Sequence, residues 1–95
     1  MSDFLTFKRV KIISYDGDVL FTTLGDYMLY VRKTVNKCFL FLDNRTYSFL
    51  LVRTTKKNLW VLNKVIERVD ELMNSGARFI DIKDICDQII LLGDM

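Results

Sequence analysis

Residues 4–53 carry short apolar-rich segments separated by turn signals, a pattern that predicts strands. Five segments rich in Val, Ile, Phe, Tyr, Leu and Thr follow one another, at about 5–15, 18–24, 27–33, 37–43 and 46–53. Asp16-Gly17 suits a two-residue hairpin turn, whose central residues must tolerate positive φ. Gly25-Asp26, Thr34-Val35-Asn36 and Asn44-Arg45 separate the remaining segments. Connections this short force antiparallel neighbours, because a parallel crossover needs about a dozen residues or more. The expectation is an antiparallel meander of four to five strands over about 5–53.

The period then changes. Leu59, Leu62, Ile66, Val69 and Met73 recur at spacings of three and four, one face of a helix, and Val61, Val65 and Leu72 widen it. Lys64, Glu67, Arg68, Asp70 and Glu71 fill the other side. Thr54 or Thr55 can cap its start, and Gly76 its end. One long helix is predicted at about 56–74. In the tail, Asp81 can cap a short helix at about 81–92, with Ile82, Ile85, Cys86, Ile89 and Leu92 inward. Phe79 and Ile80 can add a strand before it. The whole reads as one α+β domain, residues 1–95.

Side chains alternate across a sheet. Sorting each strand by parity gives one aliphatic face, with Val10, Ile12, Leu29, Val31, Cys38, Leu40, Leu42, Leu50 and Val52, that suits the long helix. The other face carries Phe7, Tyr30, Phe39, Phe41, Tyr47 and Phe49 between Arg9, Lys11, Arg32, Lys37 and Arg53. A single β-bulge inverts this sorting in its strand. Aromatics between cations are what single-stranded DNA or RNA requires. Bases stack on Phe and Tyr, and Lys and Arg neutralise phosphates. The same face can instead be a second core, a homodimer interface or a surface for a protein partner.

Composition sharpens these alternatives. Of 95 residues, 51% are apolar and 13% aromatic, and the mean hydropathy is +0.17. A chain of this length hides only about 60–65% of its surface on folding, so apolar surplus must face a second copy or a partner, most simply as a homodimer. Uninterrupted apolar runs such as Phe39–Leu42 and Ile89–Leu92 are far shorter than the about 20 residues of a membrane span. Met1-Ser2-Asp3-Phe4 shows no secretory signal. The net charge is +2, and residues 1–53 hold eight Lys/Arg against five Asp, so the strand half is the basic half. Lys56-Lys57 adds two cations at the helix start. Trp60, one step off the helical stripe, reads as an anchor at the core edge.

Histidine is absent, which removes the commonest general base and metal ligand. Cys38 and Cys86 form no CxxC pair and cannot close a zinc site by themselves. They read as reduced, buried thiols of an intracellular protein. Asp16-Gly17-Asp18 lacks the remaining ligands of a calcium loop. Asp81, Asp84 and Asp87 read as a solvated helix face. The four serines have no histidine partner, and no phosphate-binding glycine loop occurs. The chain is expected to be non-enzymatic, with no cofactor and no metal.

Two stretches carry a family resemblance. Lys11-Ile12-Ile13-Ser14-Tyr15-Asp16-Gly17-Asp18-Val19 is similar to the opening hairpin of the single-stranded-DNA-binding transcriptional coactivator domain, the positive-cofactor and whirly type. Leu51-Val52-Arg53-Thr54-Thr55-Lys56-Lys57-Asn58-Leu59-Trp60 resembles its last strand, Thr cap and Trp-bearing helix. The likeness spans roughly residues 8–73. It implies a homodimer whose curved sheets grip unwound strands. Five predicted strands where that family has four, and a chain that runs on past the helix, depart from it.

The expectation is a small nucleic-acid-binding protein, possessing no catalytic residues, that takes single-stranded DNA or RNA on its basic-aromatic sheet face as a transcription or replication accessory factor. The alternative is a phage- or virus-encoded protein that binds, and inhibits or redirects, a host protein in the host cytoplasm.

Overall fold

A computed structural model describes residues 9–23 and 27–93. The architecture is α+β. Among the described residues six strands form two three-stranded sheets, with one long helix before the sixth strand and one short helix after it. β1 (Arg9–Ile13) and β2 (Val19–Thr23) make an antiparallel hairpin. Its loop is longer than the predicted two-residue turn. The Ser14 N–H donates to the Asp18 carbonyl at 2.8 Å and the Gly17 N–H to the Ser14 carbonyl at 3.0 Å. Only Gly17, at φ +96°, takes the left-handed conformation there. Asp16 stays in an ordinary region, and a type I turn closed by a left-handed glycine results. The Ser14 hydroxyl accepts from the Asp18 N–H at 3.0 Å, so the buried Ser14 staples the loop.

β3 (Met28–Lys33), β4 (Lys37–Asp43) and β5 (Ser48–Thr55) form the antiparallel meander that their spacing predicts. The meander does not extend through all five early strands: β2 and β3 lie in different sheets. A turn dipeptide reports that the chain reverses, not that the strands flanking it share a ladder. A backbone bond links the loop of the first hairpin to β5, from the Tyr15 N–H to the Leu51 carbonyl at 2.9 Å.

β5 leads into a 3-10 turn at Lys56–Asn58 and then α1 (Leu59–Asn74). The predicted threonine cap is not made. Thr54 and Thr55 remain in β5, and Asn58 spends its amide on the Thr54 hydroxyl at 3.0 Å. The C-terminus is as predicted. Gly76 is left-handed at φ +87°, its N–H meets the Met73 carbonyl and the Ala77 N–H meets that of Leu72. These are the two bonds of a Schellman closure.

β6 (Phe79–Asp81) realises the alternative that Phe79 and Ile80 offered. It pairs parallel with β1, giving the order β2-β1-β6. The intervening sheet and α1 supply the long crossover that a parallel pair needs. Asp81 then caps α2 (Ile82–Gly93), accepting from the Asp84 N–H at 3.3 Å. Ile82, Ile85 and Cys86 are buried and Ile89 is partly so, but Leu92, expected inward, is 69% exposed. Leu92 lines the outer edge of the α1–α2 groove instead.

One core unites both sheets and both helices. Val10, Ile12, Leu20 and Ile80 meet Cys38, Leu40, Leu42 and Val52, roofed by Val61, Leu62, Val65, Val69, Met73 and Ile82. The helices therefore cover one side of the sheets only. Among the described residues no helix is long and apolar enough to cross a membrane.

Candidate nucleic-acid interface

The face of β3-β4-β5 that no described element covers is built in rows. Strand pairing sets Arg32 beside Phe39 and Phe39 beside Arg53, and in the next row Tyr30 beside Phe41 and Phe41 beside Leu50. Lys37 pairs with Thr55 at one end, and Met28, Asp43 and Ser48 close the other. The face is thus cationic at one end and carries a carboxylate at the other. Tyr30 and Phe41 stack with centroids 5.5 Å apart and planes at 17°. Phe39 follows at 6.4 Å from Phe41, tilted by 32°. The Arg32 guanidinium lies 6.0 Å from the Phe41 ring centre, within cation–π range. Tyr30 shares a hydrogen bond with the Ser48 hydroxyl at 3.0 Å, which fixes its ring. Among the described residues, Arg32, Lys37 and Arg53 have no carboxylate partner. A shallow cavity of about 260 Å³ opens between Arg32, Lys33, Thr34, Phe39 and Phe41.

Phe49 does not belong to this face. The β4–β5 register shifts at Leu40/Phe41, so that Leu40 meets Val52 but Phe41 meets Leu50. Leu51 is the extra residue of the bulge, and it is buried together with Val52. Parity therefore reverses below it. Leu50 and Ser48 turn outward, while Phe49 pairs with Leu42 and packs against the core. Tyr47 is exposed in the turn before β5, where its N–H bonds the Asn44 side chain at 3.2 Å. It stands outside the aromatic ladder.

Arg9 and Lys11 sit on the other sheet, apart from the Arg32–Phe39–Arg53 row. Arg9 lies 4.9 Å over Phe21 and Lys11 lies 5.9 Å from the Phe79 ring centre. Phe21 and Phe79 are each about half exposed. Neither was a predicted contact. Phe21 could have been found from the outward alternation Val19, Phe21, Thr23, whereas Phe79 takes its position from the β1–β6 pairing. The predicted Phe7 lies outside the described residues.

Of the remaining candidates, Lys56 and Lys57 are exposed in the 3-10 turn. The Trp60 ring rests against Gly93, an anchor between the start of α1 and the end of α2. Asp87 pairs with Lys83 at 2.9 Å and Asp84 accepts from Gln88 at 3.1 Å, along the solvated side of α2. Cys38 and Cys86 are free and buried. Burial raises the Cys38 thiol above its ordinary pKa and pushes Cys86 up to about 11. The Cys38 thiol donates to the Thr55 carbonyl at 3.4 Å. Among the described residues no group of three or more His, Cys, Asp or Glu is arranged to hold a metal ion.

No protein-family model, curated protein or solved structure matches this chain.

Proposed function

We propose that the protein binds single-stranded DNA or RNA, without catalysing a reaction, on the outer face of β3-β4-β5. The observation that carries this is Phe39 held in register between Arg32 and Arg53 on a sheet face that no described element covers. A base stacked on Phe39 contributes about 1–3 kcal/mol. Arginines one strand away on each side, about 4.8 Å from it across the sheet, reach the phosphates that flank such a base. Phe41 and Tyr30 continue the platform, and Lys37 extends its cationic end. Stacking on Phe39 and phosphate contacts from Arg32 and Arg53 accept any base, so the preference is for single-strandedness over sequence. Such a protein fits an accessory role in transcription or replication. That assignment rests on the face itself and not on the resemblance to the coactivator domain.

Fluorescence anisotropy with labelled single-stranded and duplex DNA and RNA, at two salt concentrations, tests it. The expected result is tighter binding of single strands that weakens as salt rises. Absence of affinity for every single strand at low salt rejects the proposal and turns attention to a protein partner.

A further inference from the structure

α1 and α2 lie side by side, and the groove between them has a volume of about 230 Å³. One wall is the α1 stripe Lys64, Glu67, Arg68 and Glu71. The other is Ile85, Gln88, Ile89 and Leu92 of α2, apolar except for Gln88. Both follow helical spacing, so each is a single stripe. The α1 stripe is exposed and carries two charges of each sign. On α2 the apolar stripe runs into open solvent, with Leu92 69% exposed. A largely apolar wall beside an exposed charged one calls for an occupant.

The order of the charges identifies it. Along the stripe they read plus, minus, plus, minus. Turned end for end about the point midway between Glu67 and Arg68, position 64 falls on 71 and position 67 on 68. A twofold mate with its α1 antiparallel therefore sets Lys64 against Glu71 and Glu67 against Arg68, and the twofold makes each pair twice. A parallel mate would set every charge against itself. The stripe has no net charge, so it offers nothing to a polyanion.

We infer that a second copy of this chain docks here through antiparallel α1 stripes. The methylene stem of Arg68 from one copy covers Ile89 of the other, as long cationic side chains do over apolar surface. Within one chain Arg68 bonds Glu71 at 2.7 Å, with the two side chains 50% and 70% exposed. An exposed pair of this kind stabilises little, so Arg68 is available to exchange partners. The docking face is on the helical layer and the Arg32–Phe39–Arg53 row on the opposite layer, so the dimer leaves both rows open. The inference is independent of the nucleic-acid reading.

Sedimentation equilibrium of the full chain over a range of concentrations tests it. The wild type is expected to dimerise in the micromolar range. Lys64→Glu and Glu71→Lys, each at an exposed position, should each weaken the dimer by about tenfold or more, because like charges then meet twice. The double variant Lys64→Glu/Glu71→Lys again sets opposite charges at 64 and 71 across the twofold and should recover affinity to near the wild-type value. A wild type that stays monomeric at high micromolar concentration overturns the inference. So does a single variant that dimerises as tightly as wild type, or a double variant no better than the singles. Folding of each variant is read from its far-ultraviolet circular dichroism, and the recovery in the double variant is a result that simple misfolding cannot produce.

Discussion

The Tyr27 hydroxyl donates to Asp70 Oδ1 at 2.8 Å, tying the entry of β3 to the middle of α1. Burial, reinforced by the Asp70 hydrogen bond and charge, pushes the phenol from 10.0 up to about 12. The folded state therefore holds this proton more tightly than the unfolded chain. The stabilisation is fully present below about pH 10 and is lost as pH rises toward 12. Unfolding midpoints measured from pH 8 upward should fall across that window in the wild type. In Tyr27→Phe the fall should be shallower but not absent, since the raised thiols of Cys38 and Cys86 still titrate there. Parallel curves for the two proteins would show that Tyr27 is not linked to folding.

Phe39 and Phe49 occupy opposite faces despite their shared expectation. Phe39→Ala should weaken single-strand binding by about 1–3 kcal/mol with little change in unfolding midpoint. Phe49→Ala should instead cost about 3 kcal/mol of stability, the low end for a core phenylalanine, because Phe49 is only partly buried. Anisotropy and thermal unfolding on the same two variants separate the roles. Equal loss of binding at an unchanged midpoint would place Phe49 on the open face after all.

Arg32→Ala and Arg53→Ala should weaken binding nearly uniformly across sequences. Each should flatten the salt dependence by about one unit of slope. Lys56→Ala, in the 3-10 turn beyond the aromatic row, should leave that slope nearly unchanged. A slope insensitive to both arginines would remove them from the phosphate path.

The two thiols should resist modification in the native state. Both are buried, and their raised pKa values keep the thiolate scarce at neutral pH. Labelling with a thiol reagent should be slow for the folded protein and should reach two groups per chain on unfolding. Rapid native labelling of Cys38 would mean that the inner face of β4 is open.

A Cβ added to Gly93 would stand 2.5 Å from Trp60 Cη2. Gly93→Ala must therefore displace the indole, which is already 44% exposed. Trp60 is the single tryptophan of the chain, so its emission reports the event. A red shift is expected, with a stability loss within about 1 kcal/mol, as for a contact at the surface. Unchanged emission would show that Trp60 does not anchor the end of α2.

Local pattern alone carried much of this architecture. The β3-β4-β5 meander, the apolar stripe of α1, the left-handed Gly76 and the Asp81 cap each depend on residues a few positions apart, whose chemistry acts within a turn or a hairpin. The inward side of β4, with Cys38, Leu40 and Leu42, was legible for the same reason, since alternation along one regular strand needs no outside information. So was the row of Arg32 and Phe39. What depended on distant pairing was not legible. Whether Leu51 is an ordinary strand residue or the extra one in a bulge is decided by how Val52 and Leu50 meet β4, and that choice sends Phe49 inward and Leu50 out. The separation of Arg9 and Lys11 from Arg32 follows from which edge β1 offers, and to which strand. It takes β6, from the far side of α1, and so acquires Phe79 beside Lys11. Strand edges are chemically alike along their length, so their partners are selected by the packing of the whole core.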